Sequence, residues 1–560
     1  MELRAVGQEH AINSKNKSNL QKRAFHSRYL FIIFLVLMIL GSGYNTKISD
    51  LQKRETKATL LSTSKSIERK LAKLTNDGIQ DFNKANLFYK KSGNQPLWTE
   101  GFQQNHYAKS LELILAASVK YGLKRDEELV KSLEDLKEKM LSINKALNEL
   151  SRSRAEYEIK LTNAALKMLV QLEHGIFYAD TLKNDSIINR YSNYLLGSIQ
   201  SENFEEMFLS VQPENKIYIQ LINGLNLFLE RTSWSKERYK IDSKDSASVK
   251  NIAASVFYEL GYINSKTGLD SAEFISALKT FQKYHGIKQS GELCKKTVSA
   301  LELSSYERYQ QILLNIERAR SEKFLENTYV YINIPAYSLK FYQDGILELQ
   351  HKVVVGKPES QTPVLSSKLE YIVANPKWYV PKSISRGEIL YKLRKDSTYL
   401  ETRNFVLLDK DYQALSQSEI NWKEVSYSNF DYKIYQEPGS RNALGTIKFM
   451  FPNKYSVYVH DTPSKRLFKN DYRAYSHGCV RLENPLDFAD HLLTYVDTDN
   501  LYKTVKPMVK SKKTKEIRFS EPIDIHIRYY TCEVDENNLT YFYQDVYEKD
   551  EILKEQLFMN

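Results

Sequence analysis

Apolar residues recur at helical spacing through the first half of the chain and alternate at strand spacing through much of the second. Over residues 107–121, Leu111, Ile114, Leu115 and Val119 fall on one helical face, and Gly122 stands where a C-terminal cap belongs. Residues 156–174 repeat the design with Leu161, Ala164, Ala165, Met168, Leu169 and Leu172, closed by Gly175. Such stripes predict helices packed on one another from 76 to 245. A compact unit follows over 248–303. Ala253, Val256, Phe257 and Leu260 form one face, ending at Gly261. Phe274, Ala277, Leu278 and Phe281 form a second, with Asp270 or Ser271 as N-cap and Gly286 beyond its end. A third short helix is expected from Cys294 to Leu301, then a charged linking helix within 304–326.

The period changes near residue 329. Tyr329-Val330-Tyr331-Ile332-Asn333-Ile334, Ser338-Leu339-Lys340-Phe341-Tyr342 and His351-Lys352-Val353-Val354-Val355 alternate and are rich in β-branched and aromatic residues. Asp344-Gly345 supplies a hairpin turn between two of these strands. Residues 455–460 read as a strand that ends on His460. Asn484 caps a helix with Pro485 at its first position and Leu486, Ala489, Leu492, Leu493 and Val496 along one face. The fold class is therefore multidomain α+β: helical first, then mostly β with one helix after residue 484.

Before the periodic regions comes one apolar run, residues 29–40. It is preceded by Arg4, Lys15, Lys17, Lys22, Arg23 and Arg28 against only Glu2 and Glu9. This is a positive n-region (1–28) ahead of an apolar h-region (29–44), read as a signal anchor or a signal peptide, with the long n-region favouring the anchor. Both place the remainder outside the cytoplasm, because the positive charges stay inside. Residues 45–75 are polar and free of Pro and Gly, and read as a stalk or helical linker. The chain has 560 residues and a net charge of +11, thinly spread. Lysine runs such as 510–515 lack interleaved aromatics and read as solvated loops, and no nucleic-acid module is present.

Three cysteines occur, which excludes a disulfide framework. Cys294 and Cys532 read as structural, with a bond between them left open. Cys479 differs. It lies in Ser476-His477-Gly478-Cys479-Val480-Arg481, about nineteen residues after His460 in Val457-Tyr458-Val459-His460-Asp461-Thr462-Pro463. A thiol attacks only as thiolate, and a free cysteine is mostly protonated at neutral pH. A histidine removes the proton and a cation such as Arg481 favours the anion. The pattern points to cysteine acyl transfer. His460 on a strand also reads as a core histidine. His285 reads as a capping or core residue, and a zinc site from His460, His477 and Cys479 lacks a fourth ligand. Asp461 adjoins His460 on a strand, so its side chain points away from the imidazole.

Together with Asn375-Pro376-Lys377-Trp378 and Pro438-Gly439-Ser440-Arg441-Asn442-Ala443-Leu444-Gly445, these motifs closely resemble the L,D-transpeptidase catalytic-domain family, in its large periplasmic branch. Leu260-Gly261-Tyr262 and Phe281-Gln282-Lys283-Tyr284-His285-Gly286 resemble the three-helix peptidoglycan-binding domain. Gln95-Pro96-Leu97-Trp98 and Leu161-Thr162 resemble the branch's scaffold domain. The resemblance implies a scaffold over 76–245, a glycan-holding module over 248–303, a catalytic domain over 327–505 and an extension over 506–560 packed on the scaffold. It implies a periplasmic enzyme without metal or cofactor, which the N-terminal segment would hold at the inner membrane unless it is cleaved as a signal peptide. Peptidoglycan stem peptides and glycan are the implied partners, with carbapenem-type inhibitors and other cell-wall enzymes.

In that family Cys479 would attack a tetrapeptide stem and form a thioester, and His460 would serve as base, with His477 the alternative. Backbone N–H groups around His477, Gly478 and Cys479 would hold the oxyanion. Ser476, Arg481, Tyr458, Trp378 and Asn375 would contact substrate. The product would be a 3–3 cross-link. Hydrolysis by the same thioester, as an L,D-carboxypeptidase, or a non-catalytic wall-binding role are the competing expectations.

Overall fold

The computed structural model describes residues 57–76, 83–141, 146–179, 185–242, 246–323, 327–496 and 504–558. The basic and apolar segments over 1–44 lie outside them. Among the described residues no helix is long and apolar enough to cross a membrane. The chain divides into two compact units, Met1–Gln212 and Pro213–Asn560.

The first unit is helical. It contains α1 (Lys57–Asn76), α2 (Asn83–Lys91) and the long α3 (Leu147–His174), among others. The polar run expected to be a stalk or helical linker belongs, from Lys57, to a helix of this unit. Ile67 and Leu71 join the same core as Leu161 and Leu169. A stripe that narrow is hidden in sequence among Lys, Ser and Thr. The core also holds a charge. Glu158 on α3 is fully buried. It accepts from the N–H groups of Leu97 at 2.8 Å and Trp98 at 3.1 Å, and from the hydroxyls of Tyr89 at 2.9 Å and Thr99 at 2.5 Å. The Trp98 indole donates to Thr162 Oγ1 at 2.8 Å. Arg154, one turn away, donates to the Thr99 carbonyl at 2.9 Å. A buried carboxylate is tolerated only with such a full set of donors.

The second unit opens with a helix, Lys216–Arg231, followed by α4 (Ser246–Glu259), α5 (Ser271–Tyr284), α6 (Lys295–Leu301) and α7 (Ser305–Arg320). Asp270 and Glu273 form a capping box at the start of α5. His285 ends α5, stacked on Phe281 at 3.8 Å between centroids, with Nδ1 2.8 Å from the Phe281 carbonyl. All three cysteines are free: Cys294 is exposed, Cys479 half-buried and Cys532 buried. No bond therefore joins Cys294 to Cys532.

Nine strands then form one sheet. In chain order they are β1 (Tyr329–Asn333), β2 (Ser338–Gln343), β3 (Ile346–Gly356), β4 (Leu365–Ala374), β5 (Ile447–Met450), β6 (Val459–His460), β7 (Ala474–Ser476), β8 (Val480–Leu482) and β9 (Lys515–Arg528). Their order in space is β7-β3-β8-β6-β5-β4-β9-β1-β2, with β2 also pairing β3, so the sheet rolls back on itself. The strand β9 belongs to residues expected as a tail beyond 505. It lies between β4 and β1, with Ile517, Ile525 and Ile527 in the sheet core. Its register shifts between Arg518 and Ile523, around Pro522. That break obscures the part of the strand before Ile523 in sequence. The remainder of the tail packs on α7 and on the helix Lys216–Arg231. Thr531 exchanges hydrogen bonds with Asn315, and a Cβ on Gly224 would come within 2.5 Å of Val534.

The helix α8 (Pro485–Val496) lays Phe488, Ala489, Leu492 and Leu493 into the sheet's core. Between β4 and β5 the chain inserts a small subdomain with its own four-stranded sheet and a core that includes Leu390, Leu393, Trp422 and Phe430. Asn442 ties its two ends, donating to the Pro376 carbonyl at 3.1 Å and the Glu437 carbonyl at 3.0 Å.

Candidate active site

Strands β6 and β8 run parallel, with Val459 opposite Val480 and His460 opposite Arg481. The Val480 N–H donates to the Tyr458 carbonyl at 3.1 Å. Val459 and Val480 are fully buried in the core beneath the sheet. Side chains alternate along strands, so Tyr458, His460, Cys479 and Arg481 share the opposite face. On the far side of β6, Lys448 of β5 stands opposite His460. Ile447 and Phe449 fill the core while Lys448 takes the same face as His460. The β pairing thus gathers the thiol, an imidazole, a phenol and two cations.

His460 is 5% exposed, and its Nδ1 lies 2.5 Å from the Asp461 carbonyl. A carbonyl only accepts, so Nδ1 carries the proton and Nε2 keeps its lone pair. Burial, reinforced by Arg481, pushes this imidazole down to about 3. It is neutral and able to take a proton across the physiological range. The Asp461 side chain turns elsewhere, as its strand position predicts. Its Oδ2 accepts from Thr446 N at 2.8 Å, and Oδ1 pairs with Lys465 at 2.7 Å. Gly445 makes room for it: φ is +62°, and a Cβ there would sit 2.3 Å from the Asp461 carboxyl.

Protein atoms crowd the Cys479 sulfur although part of the residue stays open, and burial pushes its thiol up. Hydrogen bonds from Tyr458, then the charges of Arg481 and Lys448, act in the opposite direction. The Tyr458 ring lies edge-on to His460 at 5.6 Å, and its hydroxyl meets both Cys479 and the Trp378 indole. Trp378 therefore meets Tyr458, and Tyr458 meets the thiol.

The motif loop is braced from behind. The Ser476 hydroxyl donates to the Cys479 carbonyl at 2.5 Å and accepts from the Gly478 N–H at 3.2 Å. Gly478 takes a φ of +111°, a conformation that glycine permits. Thr362 donates to its carbonyl at 2.8 Å and accepts from Gly356 N–H at 2.8 Å. Tyr547, from the C-terminal tail, closes the brace by donating to the Gly356 carbonyl at 2.7 Å and accepting from Thr362 N–H at 3.1 Å.

Some expected residues stand elsewhere. Ser476 is buried and shapes the loop. Asn375 is buried too, with φ at +48°, and its Nδ2 donates to the Met508 carbonyl at 2.9 Å, so it anchors the chain around residue 508. His477 faces outward, with Nε2 2.7 Å from Glu388 of the insertion. Among the described residues no group of His, Cys, Asp and Glu has the geometry of a metal site. Sequence reasoning missed Lys448, Glu388, Thr362 and Tyr547. Lys448 had a signal, a lone cation in the alternation Ile447-Lys448-Phe449-Met450. The other three come together only through the fold.

Fold and site define a mostly-β domain organised around one thiol and one neutral imidazole. The comparisons make this particular: residues 327–510 match the L,D-transpeptidase catalytic domain and residues 83–225 match the Scaffold domain. The chain therefore carries an L,D-transpeptidase catalytic domain behind a scaffold domain. A Haemophilus influenzae protein named "Putative L,D-transpeptidase" is 32% identical over 230 residues, which are 41% of this chain and 46% of that protein. The match thus spans about half the length of its curated relative. A solved structure described as "Structure of the Ldtfm-avibactam carbamoyl enzyme" is 11% identical, covers 51% of this chain and 99% of that one, and has a TM-score of 0.18. That is too slight to establish a common architecture.

Proposed function

We propose that the protein is an exported peptidoglycan L,D-transpeptidase that forms 3–3 cross-links through a Cys479 thioester on tetrapeptide stems. One observation carries this: His460 and Cys479 share a sheet face, and the imidazole is neutral with its Nδ1 proton committed to the Asp461 carbonyl. His477 is held by Glu388, which favours His460 as the base.

The thiol proton passes to His460 Nε2 as sulfur attacks the carbonyl of the third stem residue. The C–N bond to the terminal D-alanine then breaks, and His460 returns the proton to the departing amine. An acceptor amine gives a proton to the same nitrogen, attacks the thioester and releases the thiol. The Gly478 N–H is occupied by Ser476, so the N–H groups of His477 and Cys479 are the donors assigned to the oxyanion. Each is worth on the order of 3 kcal/mol of barrier. Arg481 supports the thiolate or grips a substrate carboxylate. The three-helix module would hold glycan nearby, segment 29–44 would tether the protein at the inner membrane or be cleaved, and carbapenems would acylate Cys479.

Incubation with tetrapeptide muropeptides tests the reading. Dimers joined 3–3 are the expected product. Tripeptide monomers without dimers would make the protein a carboxypeptidase, and an unchanged profile would make it a wall-binding scaffold.

A further inference from the structure

Two cations share the face of Cys479, and neither has a carboxylate to itself. Among the described residues, no Asp or Glu lies within ion-pair distance of Arg481 or Lys448. The nearby acids are engaged elsewhere: Glu388 with His477 at 2.7 Å, Glu516 with Arg518 at 2.8 Å, and Asp461 with Lys465 at 2.7 Å. The neutral His460 adds no charge. A protonated thiol therefore leaves both cations on this half-buried face without an anion between them. Ionising the thiol places one anion beside both.

Lys448 is held for that role by the sheet. Its strand position opposite His460 fixes its backbone. Its ammonium lies 5.5 Å from the centre of the Tyr458 ring, on the residue whose hydroxyl meets Cys479. A cation over an aromatic face is held in place without being neutralised.

We propose that Lys448 is a positioning residue whose charge, with that of Arg481, favours ionisation of the Cys479 thiol as its proton passes to His460. The inference rests on the nucleophile assignment above and adds a residue to which no role has been given. Burial draws the lysine below its ordinary range, and the charge of Glu516, then that of Cys479, acts to raise it. The other titratable groups facing the sulfur are Tyr458 on β6, His460 beside it, and His477 with Glu388 across the loop.

The test is the rate of Cys479 alkylation by iodoacetamide against pH, read by peptide mapping so that the exposed Cys294 is counted separately. Iodoacetamide is neutral and carries no carboxylate, so binding of a substrate acid does not enter. Lys448→Met is expected to move the midpoint to higher pH and lower the rate at pH 7 roughly tenfold. Lys448→Arg is expected to restore the wild-type profile. Lys448→Gln, checked by thermal unfolding, repeats the test with a polar chain should the methionine disturb the fold. A profile unchanged in the folded neutral variants overturns the inference, as does an arginine variant as slow as methionine. An unchanged profile with weaker binding of a stem peptide alone would assign Lys448 to the substrate carboxylate instead, and also overturns it. Failure of the protein to accept any stem peptide, with the alkylation shift intact, would overturn only the proposed function.

Discussion

At the scale of single residues, the division of labour between two histidines decides the chemistry. His460 is buried and neutral with a free Nε2, whereas His477 is exposed and paired with Glu388. His460→Ala is expected to lose two or more decades of acylation rate in stopped-flow measurements, and His477→Ala far less. The reverse order would move the base to His477. Because burial and Arg481 hold His460 to about 3, acylation should show no acid limb near 6.5. The sequence showed both histidines and the right spacing, and ranked His460 first only through the family resemblance. What ranks them is the Asp461 carbonyl, a backbone atom without a sequence signature. Gly445 makes a second residue-scale case. Gly445→Ala forces a Cβ to 2.3 Å from Asp461 at a φ of +62°. The expected outcome is a clearly lower melting temperature together with slower acylation, since the displaced loop carries the His460 partner.

At the scale of elements, polar contacts join segments that look independent in sequence. The strand-like 99–104 region and the loop before it are fastened to α3 by Glu158, which accepts from Leu97, Trp98, Thr99 and Tyr89. Glu158→Ala leaves those donors unsatisfied beside the charge of Arg154. It should cost about 3 kcal/mol or more in denaturant unfolding of the first unit. A loss below about 1 kcal/mol would show the network to be expendable. The helical stripes around 111–119 and 161–172 were legible because apolar residues at spacing three and four have few other uses. The packing of α1 into the core was not, since Ile67 and Leu71 are too few to outweigh its lysines and the run reads as a stalk or helical linker. The strand β9 was legible only from Ile523 on, where the residues alternate, because the register shift between Arg518 and Ile523 breaks the pattern before it. Elements that are regular in chemistry were readable, and those interrupted for the sake of curvature were not.

At the scale of the whole molecule, His460 and His285 tie stability to pH. Burial holds both His460 and His285 to about 3. An unfolded histidine titrates near 6.5, so between those values the unfolded chain binds more protons. The stabilisation is complete above 6.5 and is lost as pH falls toward 3, by at most about 1.4 kcal/mol per pH unit for each histidine. His285→Phe should lower the slope of unfolding free energy between pH 5 and 4 by about that amount; an unchanged slope would mean His285 titrates normally. The tail completes the catalytic sheet through β9 and braces the motif through Tyr547, so the second unit acts as a whole. The central claim nevertheless rests on one sulfur. Intact-protein mass spectrometry after exposure to a carbapenem or a tetrapeptide stem tests it most directly: one covalent adduct mapping to Cys479 and none on Cys479→Ala is the result predicted, and an adduct that persists on Cys479→Ala would contradict it.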